Sequence, residues 1–478
     1  MPNFLTPDLC VIGGGAAGLA VARAARRHGA RVVLIEKDRL GGAALNTTSI
    51  PSIALAAAGR RAQHLRTAAP FGIAAEEPRI NARGVFNYVH GIIDKSTGAI
   101  TAEQLTAQGI EVIAAAGRFI DSRTVEAGGQ QIRARRFVLA TGSRPLVPDI
   151  PGLSDTPYFT SASIFDNPRK LTHLVILGGS SAAVEMAQAL RRLGSEVTLI
   201  DAATPLTGYD PELVEIALRR LIDEGVEIRG TTTVTRIEQR SLGIGAILKI
   251  GDHEEALDAS HILVASGRTP FVDGLAIEKA GILRQGTGGP LALRDGFRTT
   301  NRRVYATGEV TGETAVVHGA SFRAVQIVRR ALFRLSTRNG ASSVANAVFT
   351  DPEIASFGID EAEARRRRLR DFKVLRFSLA ENDRARAEHQ PYGVVKVIVD
   401  KSGRLLGAGI VGTGAAEMIS LFAFAIGNGM SLRHFRNFTV PYPTLSEILP
   451  ALADEDVARS TTESAMLRRL LALNRRLP

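Results

Sequence analysis

Two stretches of the chain share one design. Residues 9–36 read LCVIGGGAAGLAVARAARRHGARVVLIE, and residues 174–201 read LVILGGSSAAVEMAQALRRLGSEVTLID, at a constant offset. Each copy runs from a short apolar segment through a glycine turn into an alanine-rich helix. A glycine stop and a β-branched strand ending in an acid follow. That is the opening of a βαβ unit, occurring twice. The second copy begins after Pro148, Pro151 and Gly152, a hinge composition.

The first copy satisfies the dinucleotide fingerprint, with Gly13, Gly15 and Gly18 followed by Glu36 at the end of the next strand. Gly13 permits the tight turn, Gly15 lets backbone approach a pyrophosphate, and Gly18 lets the helix pack on the strand. The helix N-terminus adds amide donors and a positive dipole end. Glu36 is suited to accept hydrogen bonds from a ribose diol.

The second copy is degraded, with Gly178, Ser180 and Ala183 in the corresponding positions. Alanine is acceptable at the third position. Serine at the second puts a side chain near the expected phosphate, so a Rossmann-like domain that has lost its ligand is an open alternative here. Asp201 ends the strand, and residues 202–205 contain no arginine. That pattern suits the free 2′-hydroxyl of NADH better than the 2′-phosphate of NADPH, which remains the alternative.

A chain of 478 residues has room for roughly three domains of ~150 residues. With 45% hydrophobic and 22% charged residues, it is neither disordered nor collagen-like. No apolar stretch approaches the ~18 residues of a membrane span, and residues 1–15 lack a basic-then-apolar leader pattern. A cytoplasmic protein is expected. The net charge of +11 comes as scattered arginine pairs and one run at 365–368, without aromatic interleaving or tryptophan. Solvated helix faces explain this better than nucleic-acid binding. The single cysteine, Cys10, excludes an intrachain disulfide or dithiol cycle. Its place in the first strand suits a small buried residue rather than a reactive one. The histidines show no metal-ligand spacing.

Beyond residue 340, strands at 394–399 and 405–411 are followed by an apolar helix near 415–426. The tail, 456–478, is a candidate basic helix. Met466, Leu467, Leu470, Leu471 and Leu473 fall largely on one face, with Arg468, Arg469, Arg475 and Arg476 beside or opposite. Such a helix can lie at a membrane surface, so peripheral membrane contact is a second expectation, set against a helix docked on its own protein.

Ordered motifs add to this reading. They include ATGSRP at 140–145, ASGRTP at 265–270, YATGEV at 305–310, VFTDPE at 348–353, NDRA at 382–385 and PTLSE at 443–447. With Gly13–Gly18 and Gly41, Gly42, Leu45, Asn46 and residues 50–52, the chain resembles the flavoprotein pyridine nucleotide–disulfide oxidoreductases over everything up to about residue 455. Within that family it is most similar to dihydrolipoamide dehydrogenases and mercuric-reductase-like proteins. The resemblance implies an α/β fold with two Rossmann-like nucleotide-binding domains plus an α+β C-terminal dimerisation domain, assembled as a homodimer. Expected boundaries are 1–150 and 271–340 for the FAD domain, 151–270 for the NAD(P) domain, 341–455 for dimerisation and 456–478 for the tail.

The resemblance further implies that FAD lies along Gly13, Gly15 and Gly18, with Glu36 on the adenosine ribose and Lys37 beside it. Gly42, Gly117, Thr141 and Gly142 then line its path, and Arg268 and Glu309 sit near the ribityl and pyrophosphate. Glutamate at 309 replaces the usual aspartate and lengthens the reach. VVHGA at 316–320, including Val317 and His318, matches a stretch passing the flavin pyrimidine edge. Gly178, Ser180 and Asp201 would belong to the NAD(P)H site.

The departures cluster. The family's redox segment is GGTCLNVGCIPSK; this chain has GGAALNTTSIPSI at 41–53. Ala44 and Ser49 stand where the resemblance puts the cysteines, and Ile53 where it puts a lysine. That lysine's partner, Glu185, is retained, leaving open whether an arginine or water takes over. Tyr442 replaces the histidine base, and Glu447, which orients that histidine in the family, remains.

Neither alanine nor serine stores electrons as a thiol pair does. The reading that follows is an FAD-dependent NAD(P)H oxidoreductase passing electrons directly to a small acceptor such as a quinone. Thr47, Thr48 and Ser49 would line the acceptor face, and Tyr442 of a second subunit would hydrogen-bond the acceptor. A pyridine-nucleotide transhydrogenase is the enzymatic alternative, and a non-catalytic FAD-binding sensor or partner protein is the other.

Overall fold

A computed structural model describes residues 4–241, 243–312, 317–336, 344–459 and 461–475, without the side chains of residues 295, 456–459, 461–464 and 467. Val316 and Arg476 lie outside the described residues. The chain divides into two compact units. The first comprises Met1–Arg66, Ala75–Pro205 and Val226–Ala341; the second comprises Thr67–Ala74, Leu206–Gly225 and Ser342–Pro478.

Both sequence copies fold as read. In the first, β1 (Leu9–Ile12) leads through the glycine turn into α1 (Ala16–Arg27) and then β2 (Val32–Glu36). Alanine dominates α1, which favours helix, and Arg26 and Arg27 face the negative end of its dipole. Next come α2 (Gly42–Asn46), α3 (Ser49–Arg66), β3 (Ile110–Ala114) and β4 (Arg136–Leu139). The second copy gives β5 (His173–Leu177), α4 (Ser181–Arg192) and β6 (Glu196–Ile200). The crossover helix α5 (Pro211–Asp223) precedes β7 (Val226–Arg229) and β8 (His261–Val264). The chain then returns to the first sheet with β9 (Val304–Ala306) and α6 (Val317–Phe333).

The parallel part of the first sheet has the order β9-β4-β1-β2-β3, with short antiparallel strands beyond β9. The second parallel sheet repeats the pattern as β8-β5-β6-β7, with Phe159–Thr160 at its β8 edge. In each, the strand order reverses beside the first strand. That reversal opens a crevice at the carboxyl ends of the strands, where nucleotides bind such sheets. The strands are apolar on both faces because helices or further strands cover both. The two halves meet through α3 and α4, where a Cβ on Gly59 would stand 3.1 Å from the Ala189 carbonyl oxygen.

The second unit is built on an antiparallel sheet. Its longer strands are β10 (Glu353–Gly358), β11 (Lys373–Ser378), β12 (Val394–Val399) and β13 (Leu405–Gly412), in the order β10-β13-β12-β11. Helices α7 (Ala415–Gly427) and α8 (Ile448–Arg459) complete an apolar core around Phe422, Ile448 and Leu452. Helix α8 runs through residue 455, so the tail helix α9 is shorter than the 456–478 segment and spans Thr461–Asn474. Lys396, on β12 and only 7% exposed, meets Asp210 at 2.8 Å and Glu212 and Glu361 at 3.0 Å. Asp210 also caps α5. Burial opposes the Lys396 charge, but the three carboxylates outweigh it and raise the pKa.

Candidate functional site

A cleft of about 630 Å³ opens at the strand-order reversal of the first sheet. Its walls are the segments that leave the carboxyl ends of β1, β2, β3, β4 and β9. Gly13 sits at φ +108°, and a Cβ there would lie 2.3 Å from the Ala140 carbonyl oxygen, so only glycine fits. A Cβ on Gly18 would meet the Gly13 oxygen at 1.8 Å, which is the close helix approach expected of that position. Gly15 differs: the nearest protein atom to its ideal Cβ is the Gly42 Cα, at 3.7 Å. Its missing side chain leaves open space over the N-terminus of α1, which has no side-chain cap. Gly42 faces it so closely that a Cβ there would lie 2.7 Å from the Gly15 Cα.

Glu36 is held in place by backbone. Its Oε2 accepts from the Gly14 amide at 2.5 Å and its Oε1 from the Asp38 amide at 2.8 Å. Lys37 lies over the Phe271 ring, 4.2 Å from its centroid. Thr141 Oγ1 donates to the Phe271 carbonyl at 2.6 Å, and the Phe271 amide donates to the Gly142 carbonyl. Gly117 lines the cleft beside them. Arg268 Nε pairs with Glu309 Oε1 at 3.0 Å and also donates to Ser143 Oγ at 2.7 Å. The long Glu309 side chain is thereby turned to the guanidinium. Val317 lines the cleft from the first turn of α6, and His318 is exposed beside it.

Among the described residues, two buried polar atoms on this wall have no protein partner: Thr307 Oγ1 and Asn46 Oδ1. A buried unsatisfied oxygen is costly, so both are atoms that a polar ligand would satisfy. Together with the open cradle at Gly15 and the fixed Glu36 carboxylate, they fit a dinucleotide cofactor. Neither stood out in the sequence as a site residue. The signal was there, since Ala306-Thr307-Gly308 repeats Ala140-Thr141-Gly142 at the end of a neighbouring strand.

The segment between the two glycine walls and α3 carries Ala44, Thr47, Thr48 and Ser49 into the same cleft. Thr47 and Thr48 both donate their hydroxyls to the Ala43 carbonyl, at 3.4 and 3.1 Å. Ser49 is exposed at the start of α3. One turn on, Ser52 Oγ donates to Glu185 Oε2 at 3.1 Å. A serine therefore meets the carboxylate. Cys10 is fully buried inside β1, and burial pushes its thiol pKa up.

In the second copy, Gly178 repeats the strained turn at φ +114°. Ser180 Oγ accepts from the Ala183 amide at 3.3 Å and donates to the Ala265 carbonyl at 3.2 Å, capping α4 itself. Asp201 Oδ1 accepts from the Ala203 amide. In the second unit, Tyr442 is 72% exposed and donates to Asp383 Oδ2 at 3.1 Å; that hydrogen bond raises the phenol pKa. Glu447 accepts from the Thr444 amide at 3.1 Å, so it is engaged by backbone.

Residues 7–324 match the domain described as pyridine nucleotide-disulphide oxidoreductase. The chain belongs to the pyridine nucleotide-disulphide oxidoreductase family. Residues 344–453 match the dimerisation domain of that family, which supports a homodimer. Mercuric reductase of Shigella flexneri is 33% identical over 459 residues, covering 93% of this chain and 80% of its own. Dihydrolipoyl dehydrogenase of Bacillus subtilis is 30% identical over 458 residues, covering 94% and 96%. An HOCl-induced flavoprotein disulfide reductase from Escherichia coli superposes with a TM-score of 0.82 at 27% identity, over 94% of this chain and 99% of that one. Members of the family use FAD and NAD(P)H, and this protein is an oxidoreductase of that kind. Among the described residues, no helix is long and apolar enough to cross a membrane, and no cluster of metal-ligating side chains occurs.

Proposed function

We propose that this family member passes electrons from FAD directly to a small acceptor such as a quinone, with no protein disulfide between them. The observation that carries the reading is the cysteine inventory: one thiol, Cys10, buried in a central strand. The net reaction is NADH plus a proton plus quinone giving NAD⁺ plus quinol. FAD supplies the two-electron chemistry when bound.

The chain's own residues bind and orient. Gly13, Gly15 and the open N-terminus of α1 receive the pyrophosphate, and Glu36 holds the ribose diol. Thr307 Oγ1 and Asn46 Oδ1 each gain a hydrogen bond. Thr47, Thr48 and Ser49 give the acceptor side a hydroxyl-bearing wall in place of sulfur. Tyr442 is assigned to the acceptor of the opposite subunit as a hydrogen-bond donor, exchanging its bond to Asp383 for one to the acceptor oxygen, with Glu447 fixing the segment that carries it. Residues 1–150 and 271–340 form the FAD domain, 151–270 the NAD(P)H domain and 341–455 the dimer domain, and the tail makes peripheral contact with a membrane from the cytoplasm. Asp201 favours NADH over NADPH.

Anaerobic mixing with NADH tests the reading. Bleaching of the flavin absorbance, followed by its return on adding a quinone, is the expected result. Flavin that stays oxidised with both NADH and NADPH overturns it. The Ser180 cap favours a second reading, a non-catalytic FAD-binding protein, because that hydroxyl occupies an amide a phosphate would need. Transfer to a nicotinamide analogue instead of quinone would point to transhydrogenation.

A further inference from the structure

We infer that the tail helix α9 seats on the surface of a bilayer rich in anionic headgroups. This rests on the membrane-contact reading above and names the partner. Met466, Leu470 and Leu473 recur at spacings of four and three, forming one stripe along Thr461–Asn474. They are 62%, 49% and 64% exposed. A helix that leaves these apolar side chains uncovered has a burial term still to gain.

The charge on the same helix identifies the medium. Arg468 and Arg469 on the helix and Arg475 just past its end are exposed, and Glu463 near the helix start is its one acidic residue. Arg468 and Arg475 fall on the arc opposite Met466, while Arg469 flanks Leu473. An apolar stripe backed by arginines asks for hydrocarbon and negative charge together, and the headgroup–acyl boundary of an anionic leaflet supplies both. Arginine stems can lie along the acyl boundary while their guanidiniums reach the phosphates. The helix also lies past residue 453, where the match to the dimerisation domain ends.

Co-sedimentation of the full-length FAD-loaded protein tests this with vesicles of phosphatidylcholine alone and of phosphatidylcholine with phosphatidylglycerol. Partitioning about tenfold or more stronger onto the anionic vesicles is expected, falling away when salt rises from roughly 0.1 M to about 0.5 M. The triple change Arg468→Gln, Arg469→Gln, Arg475→Gln and the pair Leu470→Ser, Leu473→Ser should each abolish it, while reduction of a water-soluble quinone stays unchanged. Equal partitioning onto both vesicles overturns the anionic preference but leaves peripheral contact standing; partitioning onto neither overturns both. Retention of anionic binding by the variants assigns it to another surface. A shift of the serine pair to monomer in sedimentation velocity assigns the stripe to a second copy. Salt-sensitive binding to soluble polyglutamate, without vesicle binding, assigns it to an acidic protein. Each of these last three results overturns the proposal.

Discussion

Ser52 on α3 and Glu185 on α4 are joined by a 3.1 Å hydrogen bond, which ties the two nucleotide-binding halves of the first unit together at the point where their helices pack. Ser52 is 9% exposed, so its hydroxyl is not easily replaced by water. Ser52→Ala should destabilise the protein by about 1.5–3 kcal/mol, the range for a hydrogen bond to a charged group. The midpoint of urea unfolding reads this, and an unchanged midpoint would show that the bond contributes nothing.

The glycines of the first turn separate folding from binding. A Cβ on Gly18 collides with the Gly13 carbonyl at 1.8 Å, whereas one on Gly15 meets no protein atom closer than 3.7 Å. Gly18→Ala should fail to accumulate as folded protein. Gly15→Ala should fold, with apoprotein stability within about 0.5 kcal/mol of the parent, yet bind FAD roughly tenfold or more weakly. Flavin content and thermal melts of the two variants distinguish these outcomes.

Cys10 provides a direct check on electron flow. Its thiol is sealed in β1 and its pKa is raised, so little reactive thiolate forms. N-ethylmaleimide should leave native activity intact and label one cysteine only after denaturation. Cys10→Ala should retain NADH–quinone turnover within about twofold, since a small apolar residue replaces another. Loss of turnover in a variant that still carries flavin would return the thiol to the mechanism.

The Lys396 cluster governs acid stability of the second unit. Hydrogen bonds from Arg365 and then Lys396 hold Glu361 down at about 2, against an ordinary 4.5, and Arg376 and then Lys396 lower Glu212. A depressed carboxylate stabilises the fold fully above its unfolded value. That contribution is lost as pH falls from about 4.5 toward about 2. Lys396→Met should cost roughly 3–5 kcal/mol near neutrality by removing the buried cation that Asp210, Glu212 and Glu361 share. The gap to the parent should narrow below pH ~4 as they protonate. Urea unfolding across pH 3 to 7 measures the difference.

The duplicated βαβ pattern made both parallel sheets legible, because burial on both faces, turn glycines and acid-terminated strands are local properties of the chain. The cleft's cradle was legible for the same reason at Gly13, Gly15 and Glu36. Thr307 and Asn46 were harder to see: an unsatisfied oxygen depends on which neighbours fail to reach it, and those neighbours come from distant segments. The Ser52–Glu185 bond likewise needs the α3–α4 packing, which no spacing in either helix announces. Tyr442 and Glu447 carried family-derived roles; within the chain Glu447 is engaged by the Thr444 amide of its own turn, whereas Tyr442 meets Asp383 from a distant segment.

The twin turns end in different chemistry at their helices. Before α1 no hydroxyl competes for the first amides, whereas before α4 the Ser180 hydroxyl already occupies one. An anion arriving at the first helix keeps everything it gains; at the second it must displace an intramolecular rival and is ejected more readily. On the function proposed here, the repeated unit thereby serves as a long-residence berth for a prosthetic group at the first helix and as a fast-exchanging dock for a departing co-substrate at the second.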